Sequence, residues 1–234
     1  MPGRNAQSRP VKIGRPRVDS SAATGDARND ILRAAVDLIS KKGVAKTTVT
    51  GIAELAKLRP PSIYHYFDGK ADILAQVAVE ANAGPIAMAH WINQQQAPAA
   101  VRLWAFVALD VTLLSKLPFD INEVHRTITV DPELAQVYDF GREELIECVA
   151  TLLRSGIADG QLRDVSVPLA VMTILGNDEG SQNWLRRPGE VDPVEAARHV
   201  ADSALLALTA VPLDLPATRA AGQQLVDCYL EPRS

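Results

Sequence analysis

The side chains best able to do chemistry stand together between Thr47 and Lys70, in the stretch TTVTGIAELAKLRPPSIYHYFDGK. Arg59, Ser62, Tyr64, His65, Tyr66 and Lys70 supply a guanidinium, a hydroxyl, two phenols, an imidazole and an ammonium. All of these donate hydrogen bonds to phosphate oxygens or base edges, so the chemistry they suit is noncovalent recognition of nucleic acid. For any single aromatic or histidine a half-buried packing role is an equal alternative. The DNA reading rests on their combination.

The elements that must hold them follow from apolar spacing. Val49, Ile52, Ala53 and Ala56 share one helical face, and Thr48 is placed to be the N-cap. After Lys57-Leu58-Arg59, Pro60 and Pro61 start a new helix without losing a needed N–H. The pattern predicts a short helix from about Pro60 to Phe67, with Ile63 and Phe67 inward and Ser62, Tyr64, His65 and Tyr66 left to point elsewhere. Upstream, Ile31, Ala35, Leu38 and Ile39 form an apolar stripe that Lys41-Lys42-Gly43 closes with cations and a glycine cap. Downstream, Asp68 is the expected N-cap of a helix presenting Ile73, Leu74, Val77, Ala78 and Ala81. Lys70 opposes the dipole at that helix start, so a phosphate partner explains it better than the dipole does; plain solvation is the alternative.

From about Asp26 to Ala83 the chain resembles the DNA-binding domain of the tetracycline-repressor (TetR) family of bacterial transcription regulators. The resemblance is carried by Ile31-Leu32-Arg33-Ala34-Ala35 through Lys41-Lys42-Gly43, by Thr47-Thr48-Val49 and Ile52-Ala53, and by Ser62-Ile63-Tyr64-His65-Tyr66-Phe67 with Lys70. It implies phosphate contacts at Thr48, Tyr64 and Lys70, and recognition-helix contacts at Pro60, Ser62 and His65. Arg59 and Tyr66 depart from the family pattern, which has a small or hydroxyl residue and a histidine there, and they count as DNA-facing on their own chemistry. The implied fold is all-α, an N-terminal three-helix helix-turn-helix domain joined to a larger helical ligand-binding and dimerisation domain. The implied function is repression from a palindromic operator, relieved by a small-molecule effector.

The charge distribution agrees with that orientation. The chain has 234 residues, 47% of them hydrophobic, and a net charge of −4. Residues 1–25 carry +4, residues 26–82 carry +1 and residues 83–234 carry −9, so an acidic total hides a basic end. The first 25 residues lack apolar periodicity and read as a disordered basic arm. Within it Gly14-Arg15-Pro16-Arg17 could lay Arg15 and Arg17 into a narrow minor groove; a solvated tail is the alternative.

Beyond Ala83 the sequence reads as helices punctuated by Pro and Gly: about 85–95, 98–116, 121–129, 132–158, 167–186 and 193–210, with a possible short one near 217–229. The expected organisation is arm 1–25, helix-turn-helix domain 26–83, helical domain 84–211 and tail 212–234. Asp131-Pro132 and Asp192-Pro193 are explicit helix starts. In TetR-like proteins the last two long helices pair with their two-fold mate. Here these carry Leu169, Met172, Leu175 and Gly176, and Val194, Ala197, Ala201, Ala204, Leu205 and Leu208. A homodimer is also expected because one short recognition helix reads too few bases to find a site in a genome. For the effector, Trp104, His125, Tyr138, Asn177, Asp178 and Trp184 are the candidates. Asn177 and Asp178 interrupt an apolar run and could anchor a ligand or pair across the dimer, and either tryptophan could simply be core.

No catalytic set, cofactor or metal site is expected, because GxSxG, HExxH, Walker and dinucleotide glycine patterns are absent and the four histidines are scattered. Cys148 and Cys228 lie far apart without metal-type spacing. No signal-like or membrane-length apolar run occurs, so a cytoplasmic location is expected. The alternatives are a ligand-independent DNA-binding protein or an activator of the same fold, and, further off, an enzyme without a recognisable motif.

Overall fold

The computed structural model describes residues 26–187, 189 and 191–231, which form twelve α-helices and no strand. The arm, with Arg15 and Arg17, lies outside the described residues. The first four helices make the head: α1 (Ala27–Lys42), α2 (Val49–Leu55), α3 (Pro60–Ile63) and α4 (Lys70–Ala81). The body follows as α5 (Ala83–Gln94), α6 (Ala99–Lys116), α7 (Ile121–Ile128), α8 (Pro132–Ala158), α9 (Val167–Gly180), α10 (Gln182–Leu185), α11 (Pro193–Leu208) and α12 (Leu215–Leu230).

Local chemistry explains the head's short elements. Asp26 caps α1 by accepting from Arg28 N and Asn29 N, and Gly43 ends it at φ 77°. Thr48 caps α2 through Gly51 N, 3.1 Å away. The turn into α3 has a C-capping geometry: Leu58 N donates to Ala53 O and Lys57 N to Glu54 O, with Lys57 itself in the left-handed region at φ 57°. Helix α3 is shorter than the apolar pattern predicts. After Ile63 the ladder tightens to three-residue spacing, Tyr66 N bonding Ile63 O, and the chain runs through turns to Phe67. Asp68 does not cap α4. The N-cap position is Gly69, and it is the Asp72 side chain that reaches back to accept from Asp68 N at 3.0 Å.

Head and body do not have separate cores. Ile31, Ile52, Ile63, Phe67, Ile73, Leu74 and Val77 lie in one apolar cluster with Leu114, Phe119, Ile121, Val124, Ile128 and Tyr138 of the body. Helix α4 packs on both α7 and α8. A Cβ at Gly141 of α8 would stand 2.8 Å from a Val79 methyl of α4, so glycine permits the close approach.

The second cluster centres on α6, whose Leu103, Phe106, Val107 and Leu109 are fully enclosed by α5, α8, α9, α11 and α12. The short helix expected near 217–229 is present as the 16-residue α12, longer than expected and packed on α6 as part of the body. Trp104 joins three helices: its Nε1 donates to Asp202 Oδ1 of α11 at 2.9 Å, Asp202 accepts a fork from Arg219 of α12 at 2.8 and 2.6 Å, and the indole ring lies over Gly222. A Cβ on Gly222 would come within 2.4 Å of that ring. Gly222→Ala must therefore displace Trp104 or α12 and is expected to cost about 1–3 kcal/mol. Urea denaturation of the variant checks this, and an unchanged midpoint would contradict the close packing.

Candidate DNA interface and effector cavity

The outer surface of the head presents the residues singled out in the sequence. Pro60 starts α3 with Arg59 at its N-cap, and Ile63 and Phe67 turn inward, so Arg59, Tyr64, His65 and Tyr66 are exposed and Ser62 half-exposed. Tyr64 is 58% and Tyr66 45% exposed, unusual for large aromatics with no folded partner to cover them. Thr48 is exposed at the start of α2. Lys70 has a second engagement: its Nζ donates to Val44 O at 2.6 Å, tying the start of α4 to the loop that leads into α2. An ammonium has three N–H donors, so this tie leaves others for a phosphate. The body reaches the same loop, because Glu123 of α7 accepts from Ala45 N at 3.3 Å.

In the body the structure gathers His125, Tyr138 and Asp178 but not the other candidates. Trp104 is core, held by Asp202 and Gly222, because its ring fills the junction of α6, α11 and α12. Asn177 is exposed on the outer stripe of α9, and Trp184 is 43% exposed on α10, which a turn at Ser181 separates from α9. That turn breaks the single helix expected over 167–186: Ser181 Oγ donates to Asp178 O, and the buried Gln182 accepts from Ile121 N and donates to Leu114 O, both at 2.9 Å. Gln182 thereby pins the linker between α6 and α7.

Around His125, Tyr138 and Asp178 stand three residues not singled out: Asp110, Arg142 and Glu179. Arg142 bridges Glu179 at 2.5 Å and donates to Tyr138 Oη at 3.0 Å. His125 stacks beside Tyr138, ring centroids 4.3 Å apart, with Nδ1 3.7 Å from Glu179. Asp178 is fully buried and, among the described residues, neither of its oxygens receives an N–H; it meets the carboxyl of Asp110, itself 4% exposed. Burial, with the Glu179 charge second, pushes Asp110 up to about 7. Burial, with the Asp110 charge second, also pushes Asp178 well above the usual carboxylate range, so the two share a proton. Burial, with Arg142 second, lowers His125 to about 4 and keeps it neutral. Signals existed for the missed residues: Asp110 is the lone acid inside the apolar helix α6, and Arg142 lies one helical turn after Tyr138.

Beside this cluster lies a cavity of about 180 Å³. Asn82, Asp110 and Glu179 give its polar wall; Leu114, Leu117, Ile121, Leu145 and Leu175 are among its apolar ones. It touches the end of α4, the α4–α5 junction and the first residue of α7, which is where head and body meet.

Among the described residues no group of His, Cys, Asp and Glu is arranged to hold a metal ion, and no helix is long and apolar enough to cross a membrane.

The outward face of α9 consists of Leu169, Met172, Thr173, Gly176 and Asn177, with Trp184, Val194 and Leu206 also exposed nearby in sequence. Leu175, Ala197, Ala201, Ala204 and Leu205, expected on the pairing face, instead pack into the protomer's own core.

Residues 31–77 match the family of bacterial regulatory proteins described as the tetR family, and residues 122–208 match a tetracyclin repressor-like C-terminal domain. The HTH-type transcriptional regulator TtgR of Pseudomonas putida is 23% identical over 176 residues, which span 71% of this chain and 84% of that one. Among solved structures, Mycobacterium smegmatis AmtR shares the fold with a TM-score of 0.66 and 24% identity, covering 92% of this chain and all of that one. Bacillus subtilis FadR in complex with stearoyl-CoA does so at 0.60 and 23% identity, covering 76% and 97%.

The shared proton has a pH signature. Between pH 4 and about 7 the unfolded chain releases the Asp110 proton while the folded chain keeps it, so this carboxyl weakens folding progressively as pH rises through that window. Asp110→Asn should therefore be close to wild type in stability near pH 4 and more stable by on the order of 2 kcal/mol at pH 8. Thermal melts of both across that range test it, and a gap that does not widen with pH would contradict the buried-acid assignment.

Proposed function

From the premise that this chain belongs to the TetR family of bacterial transcription regulators, we propose that it is a homodimeric repressor that holds a palindromic operator and leaves it when a small molecule occupies the cavity at the head–body junction. The observation that carries the DNA half is the exposed row Arg59, Tyr64, His65 and Tyr66, without a side-chain partner among the described residues, on an element whose Ile63 and Phe67 are buried in the shared apolar cluster. Pro60, Ser62 and His65 are assigned to base edges, and Thr48, Tyr64 and Lys70 to phosphates, with Arg59 and Tyr66 at the rim. The arm, through Arg15 and Arg17, adds minor-groove contacts. The dimer is assigned to the outward stripe of α9 with Val194 and Leu206, an apolar surface that needs a cover.

The effector half is supported by where the cavity lies. It opens on Asn82 and Ile121, and α7 runs from there to Glu123 and the loop into α2. A ligand that fits one spacing of α4 against α7 better than another shifts the population of head positions by its differential affinity. The acyl-CoA carried by FadR is not transferred to this chain, since a cavity of about 180 Å³ walled by carboxylates suits neither its size nor its charge. Operation inside the cytoplasm follows from the assigned partner.

Selection from random duplex DNA with the full-length chain is expected to enrich a palindrome with half-site centres about 34–36 Å apart, bound by two chains. His65→Ala should relax preference at one position by about 1–3 kcal/mol, whereas Tyr64→Phe should weaken all sequences alike. Failure of the wild type to enrich any palindrome would overturn the reading. The arm is tested separately: deletion of residues 1–18 should flatten the dependence of log affinity on log salt by about 0.9 for each phosphate that the arm neutralises. An unchanged slope would remove the arm from the interface.

A further inference from the structure

We propose that the junction cavity is a site for a small organic cation, whose ammonium pairs with Asp110 while its apolar part lies against Leu114, Leu117, Ile121, Leu145 and Leu175. The effector role of that cation rests on the reading above; the site itself rests on unmet hydrogen-bonding and charge at the cavity wall.

Three observations converge there. Asp110 faces the cavity, is 4% exposed, and meets the carboxyl of Asp178, both of whose oxygens are buried without an N–H among the described residues. Asn82, 9% exposed, faces the same cavity, and its side-chain amide nitrogen has no acceptor. The nearby cation, Arg142, spends its two terminal nitrogens on Glu179 and Tyr138, and its buried Nε has no acceptor among the described residues. Two buried carboxyls facing each other, beside a buried amide without an acceptor, are costly to hold in a folded protein. The N–H groups of an ammonium meet Asp110; a ligand that also carries an acceptor meets Asn82, and the first demand is independent of the second.

The charge balance selects the ligand class. Asp110, Asp178 and Glu179 face one arginine and a His125 that stays neutral. An arriving anion would meet the Asp110 and Glu179 carboxyls at the cavity wall, and no cation lines it among the described residues. A neutral ligand would leave Asp110 and Asp178 sharing their proton. An ammonium lets Asp110 ionise and replaces that proton as its partner, so binding releases a proton to solvent. Size narrows the class further. A cavity of 150 Å³ holds one benzene ring, and this one, at about 180 Å³, admits a single ring or a comparable aliphatic body carrying the ammonium.

Asn82 gives the site a mechanical consequence. It is the residue between α4 and α5, the last before the body begins, and its backbone N–H donates to Val79 O of α4. A ligand seated against Asn82 shifts the end of the helix whose start, Lys70, is tied to Val44 ahead of α2.

The test is calorimetric titration of the full-length chain with three probes of one size: benzylamine, benzyl alcohol and benzoate. Benzylamine is expected to bind at least tenfold more tightly than the alcohol, with benzoate weakest. Near pH 7, titration in two buffers of different ionisation heat should show proton release on amine binding only. Asp110→Asn, nearly isosteric and free of the buried charge, should keep the alcohol and lose the preference for the amine. Equal or tighter binding of the alcohol or benzoate, no binding of benzylamine, or an amine preference that survives Asp110→Asn would each overturn the cation site. Operator release, read by fluorescence anisotropy, is the separate arm. Amine-selective binding without release supports the cation site and overturns only the effector reading. Release by benzoate but not by benzylamine keeps an effector and overturns the cation.

Discussion

Everything this protein is assigned to do depends on one apolar seam, the packing of α4 against α7 and α8. Ile73, Leu74, Val77 and Ala78 on α4 share an enclosed cluster with Ile121, Val124, Ile128 and Tyr138. The head is small, and its recognition element α3 has a single turn of helix, so neither has much core of its own. Val79 against Gly141 sets how closely α4 and α8 approach, and no side chain larger than hydrogen fits at that point. Packed interiors deform little, so a displacement of α7 or α8 at one end of the seam must appear at the other. That constraint turns a helix-turn-helix attached to a bundle into a head governed by one.

The buried ionisable cluster stands on the body side of the same seam, and this explains an arrangement that stability alone would disfavour. Asp110, Asp178, Glu179, Arg142 and His125 are taken out of water at a desolvation cost that their mutual bonds only partly offset. Gln182 and Asn122 fasten it to the seam: Gln182 bonds Ile121 N and Leu114 O, and Asn122 Nδ2 donates to Glu179 O. A polar network tied by backbone bonds to the first turn of α7 has a direct route to the head through Glu123 and Ala45.

Much of this was legible in the residues. The apolar spacing of Ile52, Ala53, Ile63 and Phe67 located the helix-turn-helix, and Thr48, Asp131 and Asp192 announced helix starts that the structure has. What spacing cannot show is which of two apolar faces meets a neighbour and which stays bare, so Ala201 and Leu205 turned out to be protomer core while Leu169 and Met172 are exposed. Aromatic composition likewise could not separate Trp104, which satisfies its N–H on Asp202, from Tyr138, which lies in the polar cluster. The cluster was half visible: Asp178 stood out as a polar break in α9, but its partner Asp110 is 68 positions earlier, and only the packing of α6 on α9 brings the two carboxyls together. Asp68 misled for a local reason, since the chain at Gly69 is extended and Asp72 supplies the reciprocal bond instead.

Through the seam, head and body are expected to respond as one. Hydrogen exchange of the full-length chain, free and bound to its selected operator, tests it most directly. DNA is expected to slow exchange in α2 and α3 and also to change it in α7 and in residues 177–182, which lie in the body. A change confined to residues 26–82 would contradict it.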